Sequence, residues 1–467
     1  MRYVSTRGAA PALDFEAALL AGLASDGGLY VPERWPALAP ADLRRLGGLG
    51  YAEAAARIME PFVGSSFTGD ELAGMARQAY ASFRHPAVAP LRQLDANDWL
   101  LELTHGPTLA FKDYALQLVA LMFDRVLARR GERLTILGAT SGDTGAAAIA
   151  ACEGRDRLEV FILFPEGRVS ETQRRQMTTV AARNIHTLAI AGTFDDCQDI
   201  VKALFADGAF RDEVNLAAVN SINWARVMAQ TVYYVTAAVA IGAPERKVAF
   251  SVPSGNFGNV FAGYAAARMG LPVDRLIVAS NRNDVLTRFF DTGVMQPGTV
   301  HPTLSPSMDI QISSNFERFL FELYDRDGGA VGALVDALRR KGRFEVPSER
   351  LARAKKLFAA AWFDDDETLE TIGRIHTRTG ILVDPHTAVG ILAAAARRPA
   401  PEVPVISLST ADPAKFPETV ARACGVRPAL PPALGRLHER PERQDLLPND
   451  ADAVRRLIQA RLQGPGR

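Results

Sequence analysis

The sequence predicts an α/β fold in which parallel strands are flanked by helices, preceded by an extra helical N-terminal domain. Three observations carry this expectation. From about residue 96, short apolar runs alternate with Gly-rich turns and amphipathic stretches, the pattern of βαβ units. Several of those turns crowd polar residues between strand and helix. Residues 1–95, by contrast, are Ala- and Leu-rich and read as helical, with turns in SDGGLYVPERWP, residues 25–36.

The elements follow in order. RLTILGATSGDTGAAAIAACEG, residues 133–154, reads as strand, turn and helix. LEVFILFPEGRVS, residues 158–170, reads as strand and turn. NIHTLAIAGTFDDCQDIVKALFADG, residues 184–208, repeats strand, turn and helix, as do residues 214–242 and 247–270. A last strand is expected at 403–410, VPVISLST. Residues 331–380 read mostly as helix with charged faces. The tail is Pro- and Arg-rich and ends in an amphipathic helix near 451–462. The expected division is an N-terminal domain at 1–95, a catalytic α/β region at 96–425 with a smaller inserted subdomain at about 130–230, and a C-terminal tail at 426–467.

Composition narrows the function. The chain has 467 residues, 53 basic and 53 acidic, so no nucleic-acid or anionic-membrane footprint is expected. Three widely spaced cysteines without a CxxC pair indicate a reduced, cytoplasmic setting and no metal site. No signal-type run opens the chain, and no segment offers eighteen uninterrupted apolar residues.

Only seven of the 53 basic residues are lysines, which makes each one conspicuous. Lys112 lies in HGPTLAFKDYA, residues 105–115, among Leu109, Ala110 and Phe111. Arginine stays protonated, whereas a desolvated lysine can act as an amine nucleophile or base. The competing reading is a stem that snorkels over a helix start.

Four turns supply partners. VPSGNFGNV, residues 252–260, follows a strand and opens a helix. Gly255 and Gly258 let backbone N–H groups converge at the positive helix end, the recipe for holding a phosphate. It matches neither GxGxxG nor a Walker loop. GATSGDTGAA, residues 138–147, places Thr140, Ser141, Asp143 and Thr144 at one glycine turn, where a single helix cap would explain only one of them. NSINWARV, residues 220–227, offers Asn220, Ser221 and Arg226 to an anion, with Asn/Ser capping and a surface arginine as the plainer reading. Thr410 falls at the carboxyl end of the last strand, where open α/β sheets bind ligands. A phosphate cradle together with a Schiff-base lysine points to pyridoxal 5'-phosphate.

The same segments resemble the threonine synthases of many bacteria and fungi. YVSTRG, GLASDGGLYVP, HGPTLAFKDYALQ, ATSGDTGAAA, NSINWARVMAQ, PSGNFGN, SSNFERF, GILVDPHTAVG and STADPAKF occur in the family's order across roughly residues 1–425. The resemblance implies the tryptophan synthase β-like class, fold type II of the pyridoxal-phosphate enzymes. It implies that Lys112 carries the cofactor, and that Gly255, Asn256, Phe257, Gly258 and Asn259 cradle its phosphate. Thr410 would face the pyridine nitrogen. Ser141, Gly142, Asp143 and Thr144 would bind the substrate carboxylate or the ring hydroxyl, with a shared proton needed where Asp143 meets an anionic ring oxygen. Asn220, Ser221 and Arg226 would bind the substrate phosphate, with Arg168 as a second cation.

The implied reaction converts O-phospho-L-homoserine and water to L-threonine and phosphate. A phospho-lyase that yields 2-oxobutyrate, ammonia and phosphate shares these motifs. A non-catalytic binding protein is the other class, against which Lys112 and the intact PSGNFGN turn both speak. The implied state is a monomer or homodimer. His105, His301 and His386 are read as structural, His386 near a helix start capped by Asp384 or Thr387.

Overall fold

A computed structural model describes residues 1–217 and 221–463. The chain divides into two compact units. One comprises Met1–Ala115 and Ser221–Ala429, the other Leu116–Asn220 and Leu430–Arg467.

The first unit is built on a six-stranded sheet. Its order is Phe358–Trp362, Val273–Ser280, Val248–Pro253, Val405–Ser409, Asp98–Glu102, Leu91–Asp95. Every pairing is parallel except the last, where Leu91–Asp95 and Asp98–Glu102 form an antiparallel hairpin. The central strand Val248–Pro253 is buried along its whole length, as expected of a parallel strand covered on both faces. Ala249, Ile277, Ala279 and Val405 pack against Val389 and Ala393 of the Pro385–Ala396 helix. Nearly all of the Trp224–Ala240 helix is buried, and the Tyr51–Val63 helix packs on it. Full burial of each large apolar side chain of this kind contributes about 1.5–3 kcal/mol.

The second unit holds an all-parallel five-stranded sheet ordered Asp445–Pro448, Ile185–Ala191, Leu158–Pro165, Leu134–Ala139, Leu216–Ala217. Leu137, Phe161, Leu163 and Ile190 form its core with Ile200 and Leu204 of the Phe194–Ala206 helix. The tail belongs to this core, because Val454 and Ile458 of the Ala451–Leu462 helix are wholly buried in it. Glu442 fastens the tail, accepting from Thr178 Oγ1 at 2.7 Å and pairing with Arg174 and with Arg175.

The expected strand–turn–helix order holds from 133 onward, and the tail helix falls where its periodicity predicts. Three readings need correction. Tyr3–Ser5 and Tyr30–Pro32 pair as antiparallel strands inside a region expected to be helical. Phe358–Trp362, sequence FAAAW, is an edge strand inside a stretch expected to be mostly helix. Alanine favours helix in isolation, but the parallel ladder with Val273–Ser280 overrides that weak preference. The tail contributes a strand, Asp445–Pro448, as well as its helix.

Candidate active site

Lys112 is the first residue of the Lys112–Arg130 helix. The loop before it is stitched to the end of the Val405–Ser409 strand. Phe111 N donates to Thr410 O at 3.0 Å, Asp412 N to Leu109 O at 2.9 Å, and Ala110 bridges Ala411. Residues far apart in sequence, Lys112 and Thr410, are thereby brought to one place at a strand's carboxyl end. Leu109 turns the chain with φ 64°, a left-handed value that costs a side-chain-bearing residue about 1–2 kcal/mol. Leu109 and Ala110 are fully buried, Lys112 is 9% exposed, and its Nζ lies 4.9 Å from the Phe111 ring centre.

Asp113, the next residue, is also fully buried. It accepts from Thr108 N at 2.8 Å and Thr108 Oγ1 at 2.6 Å. Lys415 Nζ donates to Thr108 O at 2.9 Å. Burial pushes the Asp113 carboxyl up to about 6, while the Thr108 bonds and the Lys415 charge pull it down. Asp113 thus braces the loop that presents Lys112. Gly106 is required there, since a Cβ would lie 2.5 Å from the Asp113 side chain.

The turn after Val248–Pro253 has the expected form. Phe257 adopts φ 60° and precedes the Gly258–Arg268 helix, which has no side-chain cap. Its first N–H groups therefore remain for a ligand. The strained Phe257 is held by rings from Phe316 at 5.1 Å, Phe358 at 5.8 Å and Phe319 at 5.9 Å. Gly255 sits under the Ser307 carbonyl, 2.7 Å from where a Cβ would be. Asn259 points inward, its Oδ1 accepting from Tyr233 OH at 2.6 Å and Tyr234 OH at 2.9 Å, while its buried Nδ2 has no hydrogen-bond partner among the described residues.

Asn220 lies outside the described residues. Ser221 Oγ is 3.2 Å from Ser314 Oγ. The cap of the Trp224–Ala240 helix is Asn223, whose side chain accepts from Ala225 N at 3.0 Å, so Ser221 is not spent on capping. Arg226 is not a surface residue. It is 4% exposed, and its Nε and Nη1 have no hydrogen-bond partner among the described residues. Burial holds its guanidinium down to about 10, with Tyr233 acting in the opposite direction.

In the second unit, Gly142 has φ 138° and precedes the Asp143–Cys152 helix, again with no side-chain cap. Thr140 Oγ1 accepts from Gly142 N at 3.0 Å and Gly145 N at 2.9 Å, which shapes the turn from inside. Asp143 is buried and accepts from Gln173 Nε2 at 2.8 Å, and Gln173 Oε1 accepts from Ser170 Oγ at 2.9 Å. Ser141 is exposed and Thr144 half-buried. Arg168 is exposed on the turn after Leu158–Pro165, where its charge acts on Asp196.

Sequence reasoning gave no role to Gln173, to Lys415 or to the SSNFER segment. Their signal was weak because each acts by bonding to groups distant in sequence. His386 lies at the expected helix start. Asp384 is the helix cap, His386 Nδ1 lies 2.6 Å from Asp384 Oδ2, and Nε2 accepts from Ser307 N at 3.1 Å, so both ring nitrogens are engaged.

The residues of the first unit fit pyridoxal phosphate. They provide a lysine in apolar surroundings, a buried hydroxyl at Thr410, an uncapped glycine turn, and partnerless buried donors on Arg226 and Asn259. Such donors are costly unless something accepts from them. Fold and site define a pyridoxal-phosphate-dependent enzyme, and the family profile described as "Pyridoxal-phosphate dependent enzyme" matches residues 83–337. Profiles for the threonine synthase N terminus and C-terminal region match residues 2–80 and 387–458. A threonine synthase of Pseudomonas aeruginosa is 55% identical over 459 residues, 98% of each chain. The crystal structure of a PLP-bound threonine synthase from Brucella melitensis superposes with TM-score 0.97 at 51% identity, over 99% of this chain and 100% of that one. The yeast threonine synthase structure gives TM-score 0.94 at 39% identity, over 99% and 98%. The chain belongs to the threonine synthase family.

Proposed function

We propose that this chain converts O-phospho-L-homoserine and water to L-threonine and inorganic phosphate. The observation that carries the reading is Arg226. It is a buried cation with two partnerless donor nitrogens, just beyond the Ser221 turn, in the same unit as Lys112 and the 255–259 turn. A site with two places for phosphate suits a phosphorylated substrate and a phosphorylated cofactor.

Lys112 would hold pyridoxal phosphate covalently, Gly255–Asn259 would hold its phosphate, and Thr410 would face its ring nitrogen. Bound there, the cofactor supplies a sink for the electrons released at the substrate's Cα. A hydroxyl at Thr410, in place of a carboxylate, would leave that nitrogen unprotonated for much of the cycle. Once the substrate's amine has displaced it, the Lys112 amine, set among Leu109, Ala110 and Phe111, would remove the proton from Cα and then help move one from Cβ. Arg226, Ser221 and Asn220 bind the phosphate that leaves from Cγ, where a departing dianion needs cations and N–H donors. The proton taken from Cβ would be delivered to Cγ, which becomes the methyl group, water would add its hydroxyl at Cβ with its remaining proton ending on the released phosphate, and Lys112 would return the Cα proton. Ser141, Asp143 and Thr144 are assigned to the substrate carboxylate or the ring hydroxyl, and Arg168 is assigned as an accessory cation. Buried, unpaired thiols at Cys152 and Cys197 support a reducing, cytoplasmic setting, in which the enzyme works as a monomer or homodimer.

Product analysis tests this. NMR of the loaded enzyme with O-phospho-L-homoserine should show threonine and phosphate in equal amounts. Phosphate with 2-oxobutyrate would make it a phospho-lyase. Arg226→Ala should raise KM for the substrate about a hundredfold, with a smaller fall in kcat. Unchanged kinetics would move the phosphate site elsewhere.

A further inference from the structure

The segment SSNFER, residues 313–318, takes no part in the chemistry above, yet it touches both anion turns. Ser313 Oγ donates to Gly255 O at 2.8 Å. Ser314 Oγ lies 3.2 Å from Asn256 Oδ1 and 3.2 Å from Ser221 Oγ. Asn315 is the node. Its backbone N donates to Asn256 O at 3.1 Å, and its Nδ2 donates to Ser221 O at 3.0 Å. Its Oδ1 accepts from Arg318 Nη1.

Arg318 is fully buried, and its fork is spent on carbonyls. It donates to Tyr30 O at 3.0 and 3.1 Å and also to Ile222 O. A guanidinium bonded to the Asn315 carbonyl oxygen draws electron density from the amide and makes Nδ2–H a stronger donor. The adjacent Glu317 is tied down independently, accepting from Thr6 Oγ1 at 2.6 Å and pairing with Arg7 at 3.1 Å. Space is tight as well. A Cβ on Gly258 would come within 3.1 Å of Asn315 Nδ2 and 3.7 Å of Ser221 O. Two phosphate dianions held on neighbouring turns repel one another, so the turns must be linked by something that resists their separation.

We propose that Asn315 is a positioning residue that fixes the spacing between the turn for the cofactor phosphate and the turn for the substrate phosphate; this rests on the functional reading above. The Asn315 backbone N holds Asn256 on one turn, and its side-chain amide, oriented by Arg318, holds Ser221 on the other. Loss of the link loosens both phosphate sites together, while the proton chemistry at Lys112 is touched less.

The test compares the native holoenzyme with Asn315→Asp and Ser314→Ala. Asn315→Asp keeps the shape but turns a carboxylate oxygen toward Ser221 O. Ser314→Ala removes one hydroxyl at the rim and leaves the buried node intact, so it folds even where the first variant does not. Equilibrium dialysis, read by visible absorbance, gives the Kd for pyridoxal phosphate, and phosphate release gives KM and kcat. In Asn315→Asp, both Kd and KM should rise about tenfold or more, with a smaller change in kcat. In Ser314→Ala, both should rise about threefold. A change in only one constant, or a lower melting temperature with both constants intact, overturns the proposal. A native protein that releases no phosphate overturns the functional reading and the proposal with it. An active native enzyme beside variants of unchanged affinity overturns the proposal alone.

Discussion

Two turns of this molecule follow the same recipe of strand, glycine turn and uncapped helix, and they are braced in opposite ways. The 254–258 turn of the first unit is held from outside. Phe257 is locked in an aromatic cluster, and Asn256 and Gly255 are bonded to residues 313–315. The 140–143 turn of the second unit is held from within by Thr140 and from the side by Gln173. The first spends its side chains on scaffold and offers backbone N–H groups. The second keeps an exposed Ser141 and a buried Asp143, and so offers side-chain chemistry. On the proposed reading, one local motif serves as a fixed holder or as a reading head according to what supports it.

The largest effect should come from removing what the holder does not supply. Lys112→Ala is expected to lower turnover by about 10³-fold or more. The 255–259 turn should still retain pyridoxal phosphate through its phosphate, so the variant should keep some cofactor on gel filtration but show no borohydride labelling. A yellow, active Lys112→Ala enzyme would end the assignment.

Next come the two glycines, which set the turns against each other directly. Gly142 has a backbone conformation that side chains rarely adopt, and a Cβ would meet Gln173 at 2.5 Å. Gly142→Ala should therefore cut kcat/KM about a hundredfold, by backbone strain and by displacing the amide that holds Asp143. In Gly258→Ala the tightest contact is milder, with Asn315 Nδ2 at 3.1 Å. It should weaken pyridoxal phosphate by about threefold to tenfold, measured by dialysis. Equal effects of the two substitutions on cofactor affinity would erase the contrast.

The smallest effect concerns stability. Asp113 titrates near 6 in the fold, against about 3.9 in an unfolded chain. The folded state therefore holds the proton more tightly, and this contribution, about 3 kcal/mol at most, is present below pH 4 and lost as pH rises to 6. Asp113→Asn should flatten that slope in denaturant midpoints measured between pH 4 and 7. An unchanged slope would place the titration elsewhere.

Much of this was legible in the sequence. The βα alternation shows because β-rich apolar runs and glycine turns are local signals. Lys112 stands out because an arginine-biased chain spared so few lysines. Phe358–Trp362 was hidden because three alanines carry no strand signal until a neighbouring strand recruits them. Asp445–Pro448 was hidden by its shortness and its proline. Asn315 and Arg318 were hidden for a deeper reason. Their meaning lies in backbone carbonyls contributed by Tyr30, Ser221 and Ile222, and no spacing rule reports a bond to a carbonyl of unknown address.

The fifth strand of the second unit has a consequence for how the protein is made. Residues 445–448 close the parallel edge offered by Ile185–Ala191, so that edge is synthesised long before its cover. A nascent chain leaving the ribosome carries an open row of peptide groups during that interval, a template for pairing with other chains. A premature stop or a proteolytic nick after about residue 430 would make that interval permanent, and the truncated chain would be expected in inclusion bodies.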